Sequence, residues 1–229
     1  MRRPSLFAVE KAHADVLASR AEGWPKPGSP YDKLVTAELH ARRITQVGGV
    51  IGTLLEEQVV KASQLKHGFT EKQIQRNDRL HLARRVIVAD RAASGALKIT
   101  TLMPTDAIMP TFEAAPWLAA RQLQKIIDAS QSGWDVRMAA PIEFVEFMPP
   151  NAYDLHLIGD PAAPEAVYRQ GLDPSIDPHE AWQTSDTELT AAAATYAHIS
   201  RAALDEENTQ YYMEHMHQFF SGSVVSNGK

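Results

Sequence analysis

The 229-residue chain contains no cysteine. That absence excludes disulfide bonds, thiolate metal sites, cysteine-ligated iron–sulfur clusters and cysteine nucleophiles. No run of apolar residues approaches the roughly 18 that are needed to span a bilayer. The basic start of the chain is followed too soon by Glu10, Lys11 and Asp15 for the apolar core of a signal peptide. We therefore expect a cytoplasmic protein that does not associate with a membrane.

The common signatures of nucleotide binding and of hydrolase chemistry are also missing. Neither Gly-x-Gly-x-x-Gly nor Gly-x-x-x-x-Gly-Lys-Ser/Thr occurs, and no serine lies in a Gly-x-Ser-x-Gly turn. His179 beside Glu180, and Asp154 near His156, are the remaining candidates for acid–base chemistry. The alternative for these histidines is an ordinary polar position on a strand or at the surface.

What the sequence does contain is an uneven distribution of charge. Residues 1–98 hold 17 lysines and arginines and 10 acidic residues, whereas residues 99–229 hold 6 and 18. The overall net charge of −5 therefore combines a basic region with an acidic one. We interpret 1–98 as a basic helical region and 99–229 as an acidic α+β region, either as two units or as one integrated domain. The asymmetry favours an anionic partner or head-to-tail association.

The sequence pattern predicts helices over residues 5–22, 29–55, 70–93 and 117–130, the second of them either continuous or broken at its glycines. Thr70 and Gln73 give the best local signal, because the threonine can cap the helix that follows and the glutamine can complete a capping box. After that helix, the chain changes character, and residues 96–103 suit a strand.

The second half of the chain carries the clearest β signals. Residues 133–149 and 153–158 predict a hairpin or two strands of a small sheet, and a short helix is expected near 164–170. Residues 186–220 predict one long helix. The predicted fold is α+β and predominantly helical, with a helical N-terminal half, a small central β hairpin or sheet and a long C-terminal helix.

Basic residues in and before the predicted helix 70–93 form the first candidate site. Lys72, Arg76 and Arg79 share one helix face through their i, i+4, i+7 spacing, which matches a row of phosphates. The alternative is a solvated face, or a surface paired with acidic residues of the same or a neighbouring chain. Phe69 is the only aromatic residue of this stretch, which argues against a stacking platform for single strands. Contact with nucleic acid or with an acidic partner is predicted for Lys66, Lys72, Arg76, Arg79, Arg84 and Arg85.

Two Glu-x-x-His pairs form the second candidate site, Glu10 with His13 and Glu214 with His217. On a helix, this spacing places the carboxylate and the imidazole on one face, as in di-iron carboxylate bundles. If further carboxylates such as Glu38 converge on the two pairs, they predict an iron or manganese site. Solvated or capping histidines are the alternative.

Two classes of function follow. The first is a non-catalytic assembly or interaction protein, for example a subunit of a virion or of a nucleoprotein complex, which contacts nucleic acid or an acidic partner through residues 70–93. Such a protein is expected to associate with itself or to join a larger assembly. The second is a His/carboxylate metal-dependent enzyme with a di-metal helical site. An enzyme whose residues are scattered along the chain is also compatible with the sequence.

Overall fold

The structure is a computed structural model that describes residues 3–48, 61, 65, 69–147, 152–171, 182–184 and 186–226. These residues form the helices α1 (Leu6–Ala21), α2 (Pro30–His40), α3 (Glu71–Ala93), α4 (Met109–Ala114), α5 (Pro116–Ser130), α6 (Pro141–Phe147), α7 (Asp186–Ala202) and α8 (Glu206–Ser226). They also form the strands β1 (Arg43–Gly48), β2 (Lys98–Pro104), β3 (Trp134–Ala139), β4 (Ala152–Asp160), β5 (Ala163–Gly171) and β6 (Trp182–Gln183). None of these helices is long and apolar enough to cross a membrane.

A six-stranded mixed sheet with the strand order β3-β2-β1-β4-β5-β6 organises the described residues. β1, β2 and β3 run parallel to one another, whereas β4, β5 and β6 each pair antiparallel with the preceding strand of that order. β1 lies in the interior of the sheet, where Ile44 pairs with Ile99 on one side and Ile158 on the other. Residues on both sides of the charge boundary at residue 98 therefore share one sheet.

Helices cover both faces of the sheet, but unequally. Successive side chains of a strand point to opposite faces, so Ile44 and Val47 of β1 belong to two different apolar clusters. The helix-rich face packs against α1 to α5 and α8, and the opposite face packs against α6 and α7. His198 Nε2 and Glu143 Oε2 are hydrogen-bonded at 2.6 Å and join those last two helices.

In α3 the local sequence signal and the structure agree. Thr70 Oγ1 accepts a hydrogen bond from the N–H of Gln73 at 3.3 Å, and Gln73 Oε1 accepts one from the N–H of Thr70 at 2.9 Å. The capping box is complete, and the helix predicted for 70–93 is confirmed. α1, α5 and β2 likewise confirm the elements predicted for 5–22, 117–130 and 96–103.

The predicted helical N-terminal half and the small central hairpin or sheet are wrong. The helix expected over 29–55 ends at His40, and Arg43–Gly48 forms β1 instead. Ile44 and Val47 are fully buried between strands that follow much later in the chain, and this long-range packing overrides the local helix signal. The remainder of that prediction, from residue 49 to 55, lies outside the described residues.

The predicted pairing of 133–149 with 153–158 is also wrong. The first segment contains β3 and α6, and β3 pairs with β2. The second segment belongs to β4, which lies between β1 and β5. β5 occupies the residues for which a short helix was expected, because its antiparallel pairing with β4 satisfies the backbone of both strands. The single C-terminal helix is divided into α7 and α8 by residues 203–205, where the N–H of Leu204 donates to the carbonyl of Met138 at 2.8 Å.

Candidate anion-binding cleft

The basic residues at the start of α3 surround the end of α1. Arg79 Nη2 lies 2.5 Å from Glu22 Oε2, and the guanidinium of Arg76 lies 3.7 Å from the centre of the Trp24 ring. The hydrogen bond from Arg79, followed by the charges of Arg79 and Lys72, holds the pKa of Glu22 below its usual value. Lys72, Arg76 and Arg79 do share a face, but Arg76 and Arg79 contact the protein's own residues, and of the three only Lys72 is exposed.

Arg84 does not present its guanidinium to the surface. It is 5 % exposed, and its Nε and Nη2 donate to the two carboxylate oxygens of Glu38 at 2.6 and 2.7 Å. Its Nη1 donates to the hydroxyl of Tyr31 at 2.8 Å. Arg85 is half-buried and Lys66 lies outside the described residues. Of the six predicted contact residues, Arg84 therefore belongs to the interior.

The carboxylate of Glu38 remains ionised in this interior. Burial by itself raises the pKa of Glu38, but the charge and hydrogen bonds of Arg84 outweigh burial and lower that pKa to about 2. Burial lowers the pKa of Arg84, but the charge and hydrogen bonds of Glu38 outweigh burial and raise that pKa. His156 Nδ1 lies 3.6 Å from Glu38 Oε1, and burial lowers the pKa of His156, which keeps its ring neutral. The result is a charged pair beside a neutral imidazole, held between α2, α3 and β4.

A buried polar row continues from this pair across the sheet. On the helix-rich face, Gln46 lies between Thr101 on β2 and His156 on β4. Thr101 donates to Gln46 Oε1 at 3.1 Å and accepts from Trp134 Nε1 at 2.9 Å. Among the described residues, His156 Nδ1, His81 Nε2 and both amide atoms of Asn77 are buried and have no hydrogen-bond partner.

β1 and β4, which carry Gln46 and His156, are the strands at which the order of the sheet changes direction. Ligands of open α/β sheets commonly bind outside such a pair. Residues 49–60 and 148–151, which adjoin these strands in the chain, lie outside the described residues, as does His179 of the predicted acid–base candidates. Asp154, the other acid–base candidate, is 2 % exposed on β4, two residues before His156.

The two Glu-x-x-His pairs lie on separate helices, Glu10 and His13 on α1 and Glu214 and His217 on α8. Glu10, His13 and Glu214 are exposed and His217 is half-buried. Nowhere among the described residues do three or more histidine, aspartate or glutamate side chains come together in positions that could hold a metal ion. Glu38, a candidate additional ligand, is instead paired with Arg84.

An open cleft of about 430 Å³ lies on the less covered face of the sheet. Its floor is formed by the amino-terminal halves of β1, β2 and β3, and one wall by the end of α7 and the turn to α8. We call it the cationic cleft, because each of the three parallel strands contributes one positive charge. Its polar lining consists of Arg43, Lys98, Arg137, Asp135, Thr45, Thr100, Tyr196, Ser200 and Asp205.

The three cations of the cleft differ in how tightly they are paired. Arg43 Nη1 lies 3.6 Å from Asp160 Oδ2, and Arg137 Nη2 lies 3.9 Å from Glu206 Oε2. These carboxylate side chains are 62 % and 83 % exposed, so such pairs contribute little to stability. Arg137 Nε also binds Asp135 Oδ1 at 2.5 Å. Lys98 is exposed and forms no ion pair with a described residue.

Hydroxyl groups complete the lining of the cationic cleft. Burial, together with the negative charge of Asp135, raises the pKa of Tyr196, whose hydroxyl therefore stays protonated and can donate. Thr45, Thr100 and Ser200 add three further hydroxyls on the floor and wall. Guanidinium, ammonium and hydroxyl donors in one concave surface are the groups that bind phosphate or carboxylate oxygens.

The sequence reading missed this site because its cations are far apart in the chain. Arg43, Lys98 and Arg137 lie in three separate segments of the sequence, and the parallel pairing of β1, β2 and β3 brings them together. Asp135 and Arg137, spaced by two residues on a strand, are the one local signal that side chains of this type share a face. No family model, no curated protein and no solved structure matches this chain.

Proposed function

We propose that the protein is a non-catalytic binding protein that recognises an anionic group, phosphate or carboxylate, in the cationic cleft. The observation that carries the proposal is the convergence of Arg43, Lys98 and Arg137 from three adjacent strands in one concavity. An anionic partner, which the charge asymmetry favours, would then contact β1, β2 and β3 at the floor of the cleft and not the surface of α3.

The chemistry of the cleft supports binding of an anion. Lys98 lacks an ion-pair partner among the described residues, and Arg43 Nη1 lies 3.6 Å from the exposed carboxylate of Asp160. Arg137 binds Asp135 through Nε, while its Nη2 lies 3.9 Å from the exposed carboxylate of Glu206. An entering oxyanion gains charge-assisted hydrogen bonds, which are stronger than neutral ones. Within the described residues, no cluster favours the di-metal enzyme that the Glu-x-x-His pairs suggested.

Isothermal titration with pyrophosphate tests the proposal. Lys98→Ala removes one charged donor and is expected to weaken binding about tenfold. Lys33→Ala is the matched control, because Lys33 is an exposed lysine on α2, outside the cleft. Lys72→Ala distinguishes the cleft from the surface of α3: loss of binding in that variant, with Lys98→Ala unchanged, would place the anionic contact on α3 and overturn the proposal.

The source of the anionic group is tested with a single-stranded oligonucleotide under the same conditions. If the ligand is a nucleic acid phosphate, the oligonucleotide binds more tightly than pyrophosphate, and its affinity falls steeply with salt. If the ligand is a small molecule, pyrophosphate binds at least as well. Lys98→Ala weakens the tighter ligand in either case.

A further inference from the structure

The register of the three parallel strands fixes where the polar side chains lie on the floor of the cationic cleft. Arg43 pairs with Lys98, and these two cations form a first row at the beginning of the strands. Two residues further along, Thr45 pairs with Thr100 and Thr100 pairs with Asp135, which gives a second row. Because a strand rises by about 3.3 Å per residue, the two rows lie about 7 Å apart.

The two rows differ in the groups that they offer to a ligand. The first row presents an exposed lysine and the guanidinium of Arg43, whose side chain is 41 % exposed. In the second row, Asp135 Oδ1 accepts a hydrogen bond from Arg137 Nε at 2.5 Å. Its Oδ2 lies 3.5 Å from Thr100 Oγ1, and 34 % of the side chain remains exposed. The cations for an anion therefore lie in the first row, whereas the second row combines hydroxyl donors with a carboxylate acceptor.

The floor ends shortly beyond the second row. Leu102, two residues after Thr100, is 2 % exposed and belongs to the same apolar cluster as Ile199 of α7. The volume of the cleft, about 430 Å³, lies in the range of sites for small molecules. A ligand that reaches from the first row to the end of the floor is therefore short.

We infer that the ligand of the cationic cleft is a small polyhydroxylated acid, whose acidic group binds the first row and whose hydroxyls bind the second. This inference rests on the function proposed above and names the class of molecule. A hydroxyl donates to the carboxylate of Asp135 and accepts from Thr45, Thr100 or the protonated hydroxyl of Tyr196. An ammonium group suits the second row less well, because Arg137 already neutralises Asp135 and lies beside it.

Isothermal titration with two matched pairs of ligands tests the inference. Glycerol 3-phosphate and propyl phosphate share a phosphate and a three-carbon chain and differ by two hydroxyls. Glycerate and propionate are the corresponding carboxylates. Two additional hydrogen bonds are expected to make the hydroxylated member of one pair bind about tenfold more tightly than its partner. The pair that shows this difference identifies the acidic group as a phosphate or a carboxylate.

The outcomes separate this inference from the proposed function. If Lys98→Ala weakens pyrophosphate but neither hydroxylated ligand binds more tightly than its partner, the inferred class of ligand is wrong and the cleft is still an anion site. If phosphoethanolamine binds more tightly than glycerol 3-phosphate, the second row binds an ammonium group, which also overturns the inference. Absence of binding by every one of these ligands would overturn both.

Thr100→Val tests the second row on the side of the protein. Valine nearly keeps the shape of threonine but lacks its hydroxyl. The variant is therefore expected to lose several-fold in affinity for the hydroxylated ligand and to keep its affinity for the matched partner, whereas a structural disturbance would weaken both. Thr100→Ser should restore the preference, and Thr190→Val, at an exposed position of α7 outside the cleft, is the matched control. An unchanged preference in Thr100→Val contradicts the inference.

Discussion

Arginine–carboxylate contacts occur in two very different places in this molecule. In the interior, Arg84 and Glu38 form a two-pronged pair at 2.6 and 2.7 Å, with both side chains almost fully buried. In the cationic cleft, Arg43 Nη1 lies 3.6 Å from Asp160 and Arg137 Nη2 lies 3.9 Å from Glu206, although Arg137 Nε also binds Asp135 at 2.5 Å. The same chemistry therefore serves two purposes. Where both partners are desolvated, each is committed to the other, and where water reaches them, the cation remains available for a ligand.

The largest expected effect comes from breaking the interior pair. Arg84→Met leaves the carboxylate of Glu38 buried without its partner, which is expected to destabilise the protein by about 3–5 kcal/mol. Urea unfolding followed by circular dichroism measures the change. Removing both charges, in Arg84→Met with Glu38→Leu, should recover most of the loss, because no unpaired charge is then left in the interior. A double variant as unstable as the single one would show that the ion pair itself makes a net contribution to stability.

Acidification should also act on the interior. The folded pKa of Glu38, about 2, lies below its unfolded value, so its contribution is present above that value and is lost as the pH falls from about 4.5 towards 2. His81 adds to this trend, because burial lowers its pKa in the folded protein to about 3. Below about pH 6.5, the unfolded chain binds a proton at His81 that the folded protein does not bind, and this favours unfolding. The unfolding free energy should decrease continuously as the pH is lowered across this range.

Glu38→Gln is the control for the pH dependence. It should remove the pH dependence assigned to Glu38 and leave the one assigned to His81, which extends from about pH 6.5 to about pH 3. If the stability of the wild-type protein were constant between pH 6.5 and 3, both assignments would be wrong.

A smaller effect is expected from loosening a pair in the cleft. Asp160→Asn releases Arg43 and should change the unfolding free energy by less than about 1 kcal/mol. Affinity for pyrophosphate should rise by about two- to fivefold, since the anion no longer competes with a carboxylate. Calorimetric titration measures the change in affinity, and urea unfolding measures the change in stability. A fall in affinity would mean that Asp160 orients Arg43 for the ligand.

The smallest effect is expected at Glu206. Its distance of 3.9 Å from Arg137 and its 83 % exposure make Glu206→Gln neutral within about 0.5 kcal/mol. Thermal unfolding compares the variant with Asp160→Asn. A clear destabilisation would show that the pair is tighter in solution and that the two regions differ less than their geometry indicates.

The sequence was informative where a few neighbouring residues decide the structure. The capping box of Thr70 and Gln73 fixed the start of α3, because both bonds lie within one turn. Arg84 could also have been placed inside, since Leu80, Ile87 and Val88 lie on its side of the helix at spacings of three and four residues. Its charge suggested a surface role, and the apolar pattern around it was the stronger signal.

The sheet and the cleft could not be read in the same way. Arg43, Lys98 and Arg137 become neighbours only through the register of three strands, which depends on contacts across the whole chain. The division into a basic and an acidic half likewise does not predict which charges become neighbours. Arg137 comes from the acidic half and Arg43 and Lys98 from the basic half, yet all three line one cleft. The strand order brings together charged residues that are far apart in the sequence.

The interior position of β1 has a consequence for synthesis of the chain. β1 leaves the ribosome early, whereas the strands on its two sides follow only at residues 98–104 and 152–160. Until β4 emerges, one edge of this strand has no partner, and such edges recruit other chains. We therefore expect nascent chains to depend on chaperones until β4 has been made, and truncated products that end before residue 152 to aggregate.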